Sequence, residues 1–204
     1  MTLAQEIARA LPGVCFGGAQ VTADYLLRAA YEQRIYLASD ADQNDVVTGQ
    51  TSFANTTPTF QLDVPGGRVA MPLYLDLSQT GSVAGGAIDV IIEVDSVLRY
   101  ASGGTKEKAV NSAGRESSCV LRSGATAVAG YGMNLLRATI GQDVSPAEGA
   151  VQGPWWRPAV PIPLRGPASW NIFTYAGTTG PTWFWSAGWI EWTAAEYDAL
   201  ARQR

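Results

Sequence analysis

The chain has 204 residues, of which 47% are hydrophobic and 16% charged, with net charge −4 and no histidine. Without histidine there is no Ser-His-Asp or Cys-His relay in cis and no histidine-based zinc site, and two cysteines cannot make a four-cysteine zinc site or an iron–sulfur cluster within one chain. Eighteen acidic against 14 basic residues oppose a general nucleic-acid binder, low charge opposes disorder, and the length suits one domain with a real core.

In chain order, Thr2 and Gln5 make a capping-box pattern before Leu3, Ile7 and Leu11, which predicts a short helix ended by Pro12-Gly13. Gly17-Gly18 then links to a segment at 22–33. Thr22 and Asp24 could cap a helix carrying Leu26, Leu27, Ala30 and Tyr31; the same stretch could be an extended arm. A strand is expected at 34–38. Residues 59–64 read as a strand closed by Pro65-Gly66-Gly67.

Alternation over 68–77 puts Val69, Met71, Leu73, Leu75 and Leu77 on one face, and Pro72 signals an edge or a bulge. Residues 87–100 read as a long strand with Ile88, Val90, Ile92 and Val94 inward and Asp89, Ile91, Glu93 and Asp95 outward. Residues 101–117 read as a polar loop. Strands are expected at 119–122, 132–143, 168–176 and 182–193, with a proline-bounded edge segment at 160–164. Thr193 and Glu196 form a second capping box before Tyr197, Leu200 and Ala201.

The sum is eight or nine strands separated by glycine and proline, with helices towards the ends. It predicts an all-β fold, a β-sandwich or barrel, in place of alternating βαβ units. The expected division is an N-terminal helix or arm segment at 1–33 and a β-sandwich body with a C-terminal helix at 34–204. The chain shows no run of 18 apolar residues and no basic-then-apolar start, so neither a membrane span nor a secretory signal is expected. Cys15 and Cys119 are read as free, buried thiols, since no disulfide framework spacing is present, with a disulfide between them as the alternative.

Few constellations suggest chemistry. Glu93 and Asp95, two residues apart on one strand, stand roughly 7 Å apart, within the span of an inverting glycosidase pair. The competing reading is an outer face in solvent. The glycine pairs lack phosphate-loop spacing and read as turns. No metal or other cofactor is expected.

All seven tryptophans lie in the last 50 residues. Trp183 and Trp185 share one strand face while Phe184 takes the other, so either some rings meet another element or chain, or the core is unusually thick. Trp155, Trp156, Trp183, Trp185 and Trp189 are therefore candidate interface residues, or stacking platforms for sugar. Lys106, Lys108 and Arg115 in the polar loop, beside Arg99, are candidates for an outward contact. The basic set is twelve Arg and two Lys, which favours planar pairing at interfaces or reflects an arginine-rich genome.

Two stretches resemble structural proteins of tailed-phage particles. They are Thr57-Pro58-Thr59-Phe60-Gln61-Leu62-Asp63-Val64-Pro65-Gly66-Gly67 with Met71-Pro72-Leu73, and Val160-Pro161-Ile162-Pro163-Leu164-Arg165-Gly166-Pro167 followed by Trp189-Ile190-Glu191-Trp192. The resemblance spans about residues 50–193 and rests on turn and strand patterns. It implies a jelly-roll-like auxiliary capsid protein of the decoration or cement type on the virion surface. Such proteins commonly form trimers that clamp the major capsid protein. The resemblance carries no catalytic residue, nucleic-acid contact or membrane contact. A tail or baseplate component, or a carbohydrate- or receptor-binding module, is the alternative.

Overall fold

The computed structural model describes residues 19–40, 46–80, 87–140 and 156–201. The expected helix at 2–11, the glycine pairs at 17–18 and 85–86, Cys15, the loop at 144–154 and Trp155 lie outside the described residues. Helix α1 (Ala19–Tyr31) leads into strands β1 (Ile35–Ser39), β2 (Val47–Thr48), β3 (Phe60–Val64), β4 (Arg68–Thr80) and β5 (Ile88–Asp95). There follow β6 (Tyr100–Lys106), β7 (Val110–Asn111), β8 (Val120–Ala127), β9 (Met133–Ile140), β10 (Leu164–Arg165), β11 (Ala168–Ala176), β12 (Thr182–Thr193) and helix α2 (Ala194–Ala201).

The strands form two antiparallel sheets. The first has the order β10-β4-β12-β1-β7, with β2 also paired to β12; the second has the order β6-β8-β3-β11-β5-β9. The sheets pack face to face as a β-sandwich, as composition and alternation predict. Leu62, Ile92, Leu121, Trp170 and Ile172 of the second sheet meet Leu75, Leu77, Trp183, Trp185 and Trp189 of the first in one buried cluster. The Phe60 and Trp185 rings sit 4.9 Å apart across it. The Trp183 indole N–H is paired there, donating to Thr174 Oγ1 at 2.9 Å, and that hydroxyl also meets Thr59 Oγ1.

A bulge in β4 lets one strand serve two cores. Trp189 pairs with Pro72 while Gly188 pairs with Tyr74, so Leu73 is an extra residue and the side-chain alternation reverses there. Leu75 and Leu77 point into the sandwich, whereas Val69 and Met71 point to the opposite face. This corrects the expectation that 69, 71, 73, 75 and 77 share one face; a period-2 pattern cannot show an inserted residue.

That opposite face is covered by the helices. Ala29, Val69, Met71, Ile190 and Trp192 form a second buried cluster with Tyr25, Leu26 and Tyr197 against it. Helix α1 therefore packs through Tyr25, Leu26 and Ala29, while Leu27 and Tyr31 are exposed. Thr22 and Asp24 fall within the helix Ala19–Tyr31 and not ahead of it, where a cap was expected. The C-terminal capping box forms as predicted: Thr193 N–H donates to Glu196 Oε2 at 2.8 Å and Glu196 N–H to Thr193 Oγ1 at 3.2 Å. Arg34 also grips the Glu196 carboxylate through two bonds, tying α2 to the start of β1.

The segment read as a polar loop at 101–117 is largely structured. Residues 100–106 are an exposed edge strand on β8, and 110–111 cross to the first sheet. Polar and glycine residues concealed it, because an edge strand needs backbone partners and no apolar face. Irregular pairing near Ser102 and a positive φ of 73° at Gly104 break the edge, and a Cβ there would lie 2.7 Å from the Ser123 carbonyl.

Candidate docking surface

The sequence expects the outer face of β5 to meet solvent. Instead, two short connections cross over it. Residues 96–99 run from β5, near one edge of the second sheet, to β6 at the other edge; residues 128–132 run back from β8 to β9. These straps join where Val128 N–H donates to the Arg99 carbonyl at 2.6 Å. Each joins strands that are not neighbours in the sheet through four or five residues, with bends at Ser96, Val97 and Ala129.

Arg99 holds the straps down. Its side chain is buried, with Nη1 3.1 Å from Glu93 Oε1 and 3.5 Å from Asp95 Oδ2. Nε donates to the Val128 carbonyl at 2.7 Å and Nη2 to the Asn55 carbonyl at 2.8 Å. Asn55 in turn donates to the Gly130 carbonyl. The Arg99 backbone N–H donates to Ser169 Oγ, whose hydroxyl donates to the Val97 carbonyl. A Cβ at Gly130 would sit 3.3 Å from the guanidinium carbon, so glycine allows the strap to lie close. Burial raises the Glu93 carboxyl above its ordinary value, while Arg99 and the Gly132 N–H pull it down.

Beneath the straps lies a polar row, with Arg122 paired to Gln61, Gln61 to Asn171, and Asn171 to Glu93 across four strands. Glu93 and Asp95 share one guanidinium between them. Glu93 is thereby buried and charge-paired instead of standing on an outer face in solvent.

Large apolar side chains stand exposed on and beside the straps, among exposed polar ones such as Ser96 and Asn134; Met133, opposite the core residue Val94, stands at the sheet's edge. Tyr131 is 82% exposed, Met133 62%, Val128 55%, Val97 51%, Leu98 44% and Tyr100 37%. Arg99 is the one Asp, Glu, Lys or Arg in 96–104 and 124–136, and it is buried. Arg122, under Tyr100 at 3.8 Å from its ring centroid, is bound to Asp63 at 2.6 Å. The surface is therefore rich in apolar groups, uncharged and fastened from below.

The residues singled out from sequence fall elsewhere. Trp156, Trp183, Trp185 and Trp189 are buried, with Trp156 bonded to the Leu75 backbone in both directions and its ring 5.5 Å from Trp170. Their candidacy as interface residues or sugar platforms is corrected: the opposite sheet covers them, and α1 and α2 cover the reverse side of β12. Arg99 is likewise removed from the outward basic set.

Lys106 and Lys108 line a pocket of about 230 Å³ with Glu107, Glu116, Ser117 and Cys119. Acidic and basic groups alternate around it, so it offers neither sign of charge. Arg115 is exposed on the neighbouring turn. Beneath the pocket the buried Glu191 carboxylate accepts from Ser117 Oγ at 2.7 Å and lies 3.6 Å from Arg68. Cys119 is free and buried, and burial with the nearby Glu191 charge pushes its thiol up, which disfavours the reactive thiolate. Among the described residues no group of three His, Cys, Asp or Glu is placed to hold a metal.

Sequence reasoning missed the straps because their apolar residues sit in connections rather than in alternating strands. The available signal was the lack of charge from 124 to 136 and the lone arginine at 99. Comparison with known proteins finds no matching family model, no similar curated protein and no similar solved structure.

Proposed function

We propose that this chain is a non-enzymatic structural protein of a phage virion, a decoration or cement protein that holds neighbouring subunits on the capsid surface. The observation that carries the proposal is the uncharged apolar strap surface over Arg99. Four large side chains, Val97, Leu98, Val128 and Tyr131, stand in solvent on connections that are hydrogen-bonded into place, and exposed apolar surface of this kind marks an interaction site. Loops braced by a buried ion pair meet a partner without first losing their conformational freedom.

The resemblance of residues 57–73 and 160–192 to tailed-phage structural proteins supplies the setting. The trimeric, jelly-roll-like form and the major capsid protein as partner belong to that reading. The division of Glu93 and Asp95 by Arg99 favours a structural role over a hydrolytic one. With Trp156, Trp183 and Trp185 enclosed, the sugar-platform alternative loses the feature that suggested it. The test is mass spectrometry of purified particles from the source. The chain is expected in stoichiometric proportion to the capsid subunit, and its absence from intact particles rejects the reading.

A further inference from the structure

We infer that the free edge of β9 is a strand-addition site, where an extended peptide segment of another protein pairs with residues 133–140. A partner there does not depend on the virion reading. Each sheet ends in two terminal strands, β10 and β7 in the first, β6 and β9 in the second. An open edge presents unpaired N–H and C=O groups, and folded proteins usually blunt it. Here β7 and β10 are only two residues long, and Pro161, Pro163 and Pro167 flank β10. Strand β6 pairs irregularly at Ser102 and turns through Gly103 and Gly104, both with positive φ. Strand β9 is the exception. It is eight residues long, without lysine, proline or glycine, and Arg137 is its one charged residue. Its one irregularity sets aside Leu135 and leaves Leu136–Ile140 in unbroken register with β5. Among the described residues, no strand or backbone hydrogen bond reaches its far side.

The core is also unfinished along this edge. Leu136 and Ile140 pack against the main buried cluster yet stay half-buried, and Met133 is 62% exposed. These three lie opposite Ile92, Ile88 and Val94, so they share the face that looks into the sandwich. An added strand extends the ladder and lays its own apolar side chains over them. The occupant is therefore an extended peptide with apolar residues at alternate positions. A helix laid here would leave the backbone groups of the edge unpaired.

The experiment reads residue-resolved amide exchange by NMR on the full chain, alone and with peptides selected on it from a random library of short linear sequences. In the dilute free chain, the amides of 136–140 that are directed away from β5 should exchange at least ~100-fold faster than those bonded to it. Selected peptides should carry alternating apolar residues and slow those fast amides at least ~10-fold. Uniformly slow amides in the free chain overturn the inference, because the edge is then already filled by this chain. Fast amides that slow with protein concentration alone also overturn it, by giving the edge to a second copy. So does a library that yields no binder, or binders that leave the fast amides unchanged. None of these outcomes bears on whether the chain is found on particles, so the virion role stands or falls separately.

Discussion

The Arg99 guanidinium lies 3.1 Å from the Glu93 carboxylate beneath the crossing straps, and both side chains are almost wholly shielded from water. The pair does what neither strap can do alone. A four-residue connection has too few apolar contacts to hold its own course across a sheet. One arginine supplies bonds to both straps and to the preceding loop, and the carboxylates beneath neutralise it.

Removing that arginine should therefore be costly. Arg99→Met leaves Glu93 buried without its counter-charge and frees the Val128 and Asn55 carbonyls. The expected loss is about 3–5 kcal/mol in urea unfolding. Arg99→Met combined with Glu93→Leu should recover part of it. A loss below about 1 kcal/mol for the single variant would show that the straps do not depend on the pair.

Asn171 predicts the opposite sign. Its side chain is fully buried, and neither amide atom has a hydrogen-bond partner among the described residues. A desolvated, unpaired amide costs about 1–3 kcal/mol. Asn171→Leu, of similar shape, should keep or raise the thermal midpoint. A clear fall in the midpoint would mean that the amide does form bonds that matter.

The α2 cap gives a pH dependence. Two bonds from Arg34, with further bonds from Thr193, hold the Glu196 carboxyl down to about 2 from its ordinary 4.5. A lowered folded value means that the contribution is complete above the unfolded value and is lost as pH falls towards the folded one. The stability difference between wild type and Glu196→Gln should therefore be constant above pH ~5 and shrink between about 4.5 and 2. Denaturant unfolding at several pH values measures it. A difference unchanged down to the lowest pH would contradict the bonding.

Tryptophan emission reports the corrected placement of the rings. Trp156, Trp170, Trp183, Trp185, Trp189 and Trp192 are buried. A Trp155→Phe variant should show blue-shifted emission, little quenching by iodide, and no response to oligosaccharides. Strong iodide quenching in the folded variant would put some of these rings back at the surface.

Much of the fold was legible because local pattern and tertiary use agree. Ile88, Val90, Ile92 and Val94 alternate and do line the core, and Thr193 with Glu196 does cap α2. The failures share a cause. The inserted Leu73 reverses a pattern that depends on uninterrupted pairing, and β6 owes its existence to β8 rather than to its own glycines and serines. Trp183 and Trp185 pointed to surplus aromatic surface only while the opposite sheet that covers them, and the helices that cover the reverse side of β12, were unknown. The strap surface was the least legible, since its order comes from Arg99, Asn55 and Ser169, three residues far apart in sequence.

Hydroxyl-radical footprinting of Tyr131 and Met133 tests whether the strap surface is a docking face. Oxidation is read by mass spectrometry in the dilute free chain and in the particle-bound chain. Ready modification in the free chain and protection in the assembled one are the expected result. Equal modification of both residues in the two states would contradict it.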